Sequence, residues 1–146
     1  MDSNDRSTIP AIDFTALHDH GILVIEQLAS KADHEGWDVY AEGAHAVPDS
    51  LYVGVRPSME GVVFTSVRVL NSSPSETWRE PDRDGLTQIF SGRLQVPGGV
   101  LLVGDSDANV EIRLPVTSGT AGVTVYVDVV GLAARVIVLL DPNPFA

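Results

Sequence analysis

The chain contains no cysteine. That absence removes disulfide staples, thiolate metal sites, cysteine nucleophiles and thioredoxin-like redox chemistry together, and leaves packing as the source of stability. It also lacks any apolar run approaching the ~20 residues that span a bilayer. The opening Met1-Asp2-Ser3-Asn4-Asp5 has neither the basic stretch nor the apolar core of a signal peptide, so a cytoplasmic protein is expected. Positive charge is scarce: 9 basic residues, with Lys31 the sole lysine, stand against 20 acidic ones for a formal net charge of -11. Nucleic acids and anionic membranes attract proteins with a positive footprint, so both are disfavoured as partners. A basic protein partner would instead be steered toward this chain. There is no Gly-x-Ser-x-Gly elbow, and Gly98-Gly99 precedes an apolar β run where a phosphate loop would precede a helix.

What the sequence does hold is a ladder of short β segments. Between residues 93 and 142 run Leu94-Gln95-Val96, Val100-Leu101-Leu102-Val103, Val110-Glu111-Ile112-Arg113-Leu114, Val123-Thr124-Val125-Tyr126-Val127 and Arg135-Val136-Ile137-Val138-Leu139-Leu140. Further strands are expected over residues 9–14, 21–26, 50–55 and 61–70, the last with Val63, Thr65, Val67 and Val69 on one face. Residues 27–36 read as a loop or helical turn. Trp37-Asp38-Val39-Tyr40-Ala41 alternates apolar with polar or small side chains, and a Gly/Ala/His loop then runs to Pro48. Pro97-Gly98-Gly99 and Asp105-Ser106-Asp107-Ala108-Asn109 read as turns between hairpin partners. Strand spacing of about 8–12 residues without strand-helix alternation predicts an all-β fold. The expected architecture is an antiparallel, jelly-roll-like β-sandwich of eight to nine strands with at most one short helix. A flexible tail, residues 1–8, would precede a single domain, residues 9–146, large enough to bury a full core.

The chemistry-bearing residues lie in the first 85 positions. All four histidines fall there: His18, His20, His34 and His45. Residues two apart in an extended segment share a side, so His18 and His20, with Glu26 and His45, form a candidate metal set for a cupin-like or small-ligand barrel. The cupin pattern is incomplete, because Glu26 lies too far downstream and no histidine follows Pro97-Gly98-Gly99. The Asp82/Asp84 and Asp105/Asp107 pairs read as solvated turn carboxylates, and no cofactor is implied. Trp78 stands between Glu76 and Glu80 in the long polar segment 71–85, which also carries Asp82 and Asp84; Trp37 follows Asp33 and Glu35. An aromatic anchor ringed by carboxylates suits a protein interface, in which tryptophan supplies binding energy and rim charges orient the approach. Asp33, Glu35, Trp37, Glu76, Trp78, Glu80, Asp82 and Asp84 are therefore the candidate partner-binding residues.

Three stretches carry a resemblance: Leu94-Gln95-Val96-Pro97-Gly98-Gly99-Val100-Leu101-Leu102-Val103, Val110-Glu111-Ile112-Arg113-Leu114-Pro115, and the Gly-led strand of residues 122–128 with Tyr126. Their order resembles the competence-J type family of DNA-entry nuclease inhibitors and related β-sandwich immunity proteins. The chain inserts Val116-Thr117-Ser118-Gly119-Thr120-Ala121 where that pattern continues directly, and no inhibitory residue transfers by position. The resemblance implies a non-enzymatic immunity protein or inhibitor of a basic toxin or nuclease. A structural sandwich that self-associates through an exposed edge strand, such as residues 135–140, is a further expectation.

Overall fold

A computed structural model describes residues 11–70, 85–117 and 119–142. Among the described residues ten strands form two five-stranded sheets: β1 (Ala11–Ala16), β2 (Ile22–Gln27), β3 (Ala44–Val47), β4 (Ser50–Gly54), β5 (Val63–Val69), β6 (Thr87–Gln95), β7 (Val100–Asp105), β8 (Glu111–Pro115), β9 (Thr120–Val127) and β10 (Arg135–Asp141). One sheet has the order β1-β5-β10-β9-β6 and the other β3-β4-β2-β7-β8. Every pairing is antiparallel except β5 with β10, which is parallel. The result is the expected all-β sandwich, with ten strands where eight to nine were read.

The strand period of two explains the core. In β2 and β4, Leu23, Ile25, Leu51 and Val53 point inward and are wholly buried, meeting Val63, Val67, Val125, Val136 and Val138 of the opposite sheet. Each such side chain contributes roughly 1.5–3 kcal/mol through burial. Polar residues at the intervening positions of β2 and β4, Glu26, Ser50 and Tyr52, are thereby placed on the outer face of their sheet.

Several readings need correction. Residues 135–140 form no edge: β10 lies between β5 and β9. Its continuous apolar run reflects burial on both faces, since Ile137 and Leu139 pack with Tyr126 and Leu86 on the side away from the main core. The edges are β1 and β6 in one sheet and β3 and β8 in the other. Pro97-Gly98-Gly99 does not join hairpin partners, because β6 and β7 belong to different sheets; Asp105–Asn109 does join the β7–β8 hairpin. The alternating segment after Trp37 becomes one helical turn, α1 (Val39–Glu42). Asp38 Oδ1 accepts from the Tyr40 and Ala41 amides at 3.0 and 3.3 Å, while Glu42 accepts from the Asp38 amide at 2.7 Å. This reciprocal cap outweighs the strand-like pattern, and Gly43, at φ 73°, ends the turn. The stretch read as a loop before Pro48 is β3.

Candidate functional site

The site lies on the outer face of the β3-β4-β2-β7-β8 sheet. Register sets its floor: Glu26 of β2 is opposite Ser50 of β4, and His45 of β3 is opposite Tyr52. The chain then leaves β2 at Gln27 and crosses back over this face. Its path is fixed by the Leu28 amide donating to Val100 O at 2.9 Å, the Ser30 amide donating to Gln27 O at 2.9 Å, and the Ala32 amide donating to Ser30 Oγ at 3.1 Å. The crossing lays the His34 ring flat on Tyr52, with centroids 3.7 Å apart and planes 10° from parallel.

Under that lid runs a continuous chain of polar contacts. Ser50 Oγ donates to Glu26 Oε1 at 2.7 Å; His34 Nε2 lies 2.8 Å from Ser50 Oγ; and His34 Nδ1 lies 3.1 Å from His45 Nδ1. Trp37 stacks on His45 at 5.7 Å. Proton counting fixes the polarity. An ionised Glu26 only accepts, so the one hydroxyl proton of Ser50 goes to it; Ser50 must then accept from His34 Nε2–H, which leaves His34 Nδ1 to accept from His45 Nδ1–H. Ser50 is wholly buried and its hydroxyl is committed in both directions. The arrangement orders the crossing loop and offers no exposed nucleophile.

Burial dominates the electrostatics. It pushes the Glu26 carboxyl above its ordinary range, opposed by the Ser50 hydrogen bond and reinforced by the Asp49 charge. It holds His34 below its ordinary value, and His45 acts in the same direction. Tyr52 is raised by burial and then by the Glu26 and Asp33 charges. Beside the array, Asp33 and Asp49 line an open groove of about 380 Å³ with Gln27, Val47, Pro48 and Pro97. Gln27 braces that corner: its Oε1 accepts from the Gly98 amide at 2.7 Å.

The sequence-derived candidates are distributed unevenly. Asp33, Glu35 and Trp37 all lie on the crossing loop, with Asp33 and Glu35 exposed and Trp37 half-buried against His45. Glu76, Trp78, Glu80, Asp82 and Asp84 lie outside the described residues. Of the candidate metal residues, Glu26 and His45 share this outer face. His18 is buried elsewhere with its Nδ1 3.1 Å from Ile22 O, and the exposed His20 lies 3.3 Å from Asp107. Among the described residues no three histidine or carboxylate groups converge as a metal site. Ser50, Tyr52 and Asp49 were not singled out from the sequence, and His34 was noted only as one histidine of four. The available signal was the alternation Ser50-Leu51-Tyr52-Val53, which places two polar groups on one strand face.

No protein-family model matches the chain, and no curated protein matches it in sequence. Two solved structures share the fold. ComJ from Bacillus subtilis, an inhibitor of the DNA-degrading activity of NucA, superimposes with a TM-score of 0.61 at 11% identity, over 92% of this chain and 98% of ComJ. The product described as crocagin biosynthetic gene J superimposes with a TM-score of 0.53 at 12% identity, over 93% of this chain and 97% of that one. The chain thus has the fold of a known nuclease inhibitor along nearly its whole length.

Proposed function

We propose that this protein works by binding, as a non-enzymatic cytoplasmic inhibitor or immunity protein for a basic partner such as a toxin or nuclease. The observation that carries the reading is the end-to-end likeness to ComJ in a chain of net charge -11. In this reading Asp33 and Glu35 orient the approach of a cationic active site, and Trp37, held by His45, supplies an aromatic anchor. Glu76, Trp78, Glu80, Asp82 and Asp84 form the second acidic group. The carboxylates take the place of substrate phosphates in the partner's groove.

The test is titration of the chain into a NucA-type nuclease with linear DNA as substrate, followed by stopped-flow association at several salt concentrations. The expected result is stoichiometric loss of DNA cleavage, with an association rate that falls at least tenfold from low to high salt. Replacing Asp33 and Glu35 by Asn and Gln should slow association. Undiminished cleavage at excess inhibitor, or an association rate indifferent to both salt and these substitutions, would refute the reading.

A further inference from the structure

Exposed apolar side chains on this molecule are not scattered. Among the described residues seven large hydrophobics are exposed, and six of them, Leu17, Tyr40, Met59, Val62, Val129 and Val130, stand on the connections between strands at one end of the sandwich, Tyr40 on α1. This is the end where β4, β7 and β9 finish and β2, β5 and β10 begin. Met59 is 90% exposed and Tyr40 68%. The seventh, Ile12, lies within β1.

Backbone hydrogen bonds stitch these loops into one surface. The Ser58 amide donates to His18 O at 3.0 Å, the Val55 amide to Gly21 O at 2.9 Å, and the Arg56 amide to Ala133 O at 2.9 Å. The Gly54 amide donates to Gly43 O at 2.8 Å, which ties in the end of α1. Val130 packs on Gly43, and Gly131, at φ 85°, lies so close to Tyr40 that a Cβ there would stand 2.7 Å from the Tyr40 Cα. Asp128 Oδ1 accepts from the Val129, Ala134 and Arg135 amides at 2.9, 3.0 and 3.1 Å, which holds the loop that presents Val129 and Val130. Exposed apolar side chains gathered on one surface and rimmed by polar residues mark interaction sites on soluble proteins.

The rim decides the occupant. Asp19, Asp38, Glu42, Glu60 and Asp128 are exposed on the same connections, and Asp107, 3.3 Å from His20, is exposed on the adjoining β7–β8 turn. Among the described residues the arginines there are Arg56, whose Nε donates to Val62 O at 3.0 Å, and Arg135. An apolar centre with an acidic rim is complementary to an apolar centre with a basic rim. A second copy of this chain would bring a rim of the same sign, and like charges set against each other cost affinity. We infer that this end of the sandwich is the main docking surface for the basic protein partner. The inference rests on the proposed inhibitor reading for the class of that partner. Because α1 begins two residues after Trp37, the partner's footprint runs from the Trp37–His45 stack over Tyr40 to Val130 and Met59.

The test uses the full chain in its native host, with photoreactive benzoylphenylalanine at Met59 and, as a control at the opposite end on the edge strand β1, at the exposed Ala11. After irradiation, adducts are identified by mass spectrometry. The expected product is an adduct of a basic protein at position 59, absent from position 11. With the probe moved to Tyr40, Met59→Asp should weaken adduct formation at least tenfold, while its melting temperature stays near the parent's because the side chain is exposed. Adducts to a second copy of the chain, no adduct at position 59, or equal labelling at both ends would overturn the inference. A basic adduct partner with neither nuclease nor toxin activity would support the docking surface and overturn the inhibitor reading, so the two fail separately.

Discussion

Ser50→Ala should be disproportionately costly for the loss of one oxygen atom. The hydroxyl is wholly buried, donates to Glu26 at 2.7 Å and lies 2.8 Å from His34 Nε2. Alanine leaves the carboxylate without its donor and the imidazole N–H without its acceptor, beneath a loop that limits the access of water. A hydrogen bond to a charged group contributes about 1.5–3 kcal/mol, and an orphaned buried donor costs about 1–3 kcal/mol; with partial relaxation the expected loss is about 2–3 kcal/mol. For a chain of this length that lowers Tm by roughly 4–10 °C. Because the Ser50 hydrogen bond favours ionised Glu26, the deficit should grow as pH rises through the Glu26 titration and shrink in acid, where the protonated carboxyl no longer needs that donor. Denaturant unfolding at several pH values measures this, and a double-mutant cycle with Glu26→Leu isolates the coupling, expected to be at least ~1 kcal/mol. A Ser50→Ala loss under ~0.5 kcal/mol, or an additive cycle, would refute the role assigned to the chain of contacts.

Acid should destabilise the fold through its histidines. Burial lowers the pKa values of both His18 and His34 below 6.5, so the unfolded chain binds more protons just below that pH and stability is lost as pH falls through this window. Glu26, raised above 4.5, acts in the opposite sense, so the histidine effect is read in a Glu26→Gln background, where equal unfolding free energies at pH 7.5 and 5.5 would contradict it. Nitrogen-15 NMR should find the His34 proton on Nε2 and the His45 proton on Nδ1 at neutral pH; the opposite tautomers would reverse the polarity assigned here. Gly131→Ala should cost at least ~2 kcal/mol in urea unfolding, because a left-handed backbone and a 2.7 Å approach to the Tyr40 Cα both oppose a Cβ. Asp128→Ala removes an acceptor for three amides, so hydrogen exchange at Val129, Ala134 and Arg135 should accelerate, with a stability loss of about 1–3 kcal/mol.

The scaffold was legible because its strands repeat a pattern that local sequence carries. Val123-Thr124-Val125-Tyr126-Val127 and the run beginning at Val136 read as β segments whatever their neighbours. Neighbours were the part that could not be read. An apolar run at 136–140 suits an exposed edge or a strand buried on both faces, and what distinguishes them is the cover that Tyr126 and Leu86 give to Ile137 and Leu139. The same limit applies to β3, where Ala44-His45-Ala46-Val47 has weak β propensity and becomes a strand because β4 offers it a ladder.

The site was illegible for a related reason. Glu26 and Ser50 are 24 positions apart and His34 and Ser50 are 16 apart, so their meeting depends on register and on where a loop returns. Alternation places Glu26, Ser50 and Tyr52 on outer faces of their strands, but a polar outer face is the ordinary condition of a sandwich. It is the His34 ring closing over Ser50 that turns a solvated face into a buried polar array. A loop ordered by such an array also fixes what lies just beyond it, first Trp37 and then α1 with Tyr40. The array therefore need not touch the proposed partner to matter for binding: it presents the aromatic edge of the proposed docking surface already ordered, which would spare association the entropy of arranging it.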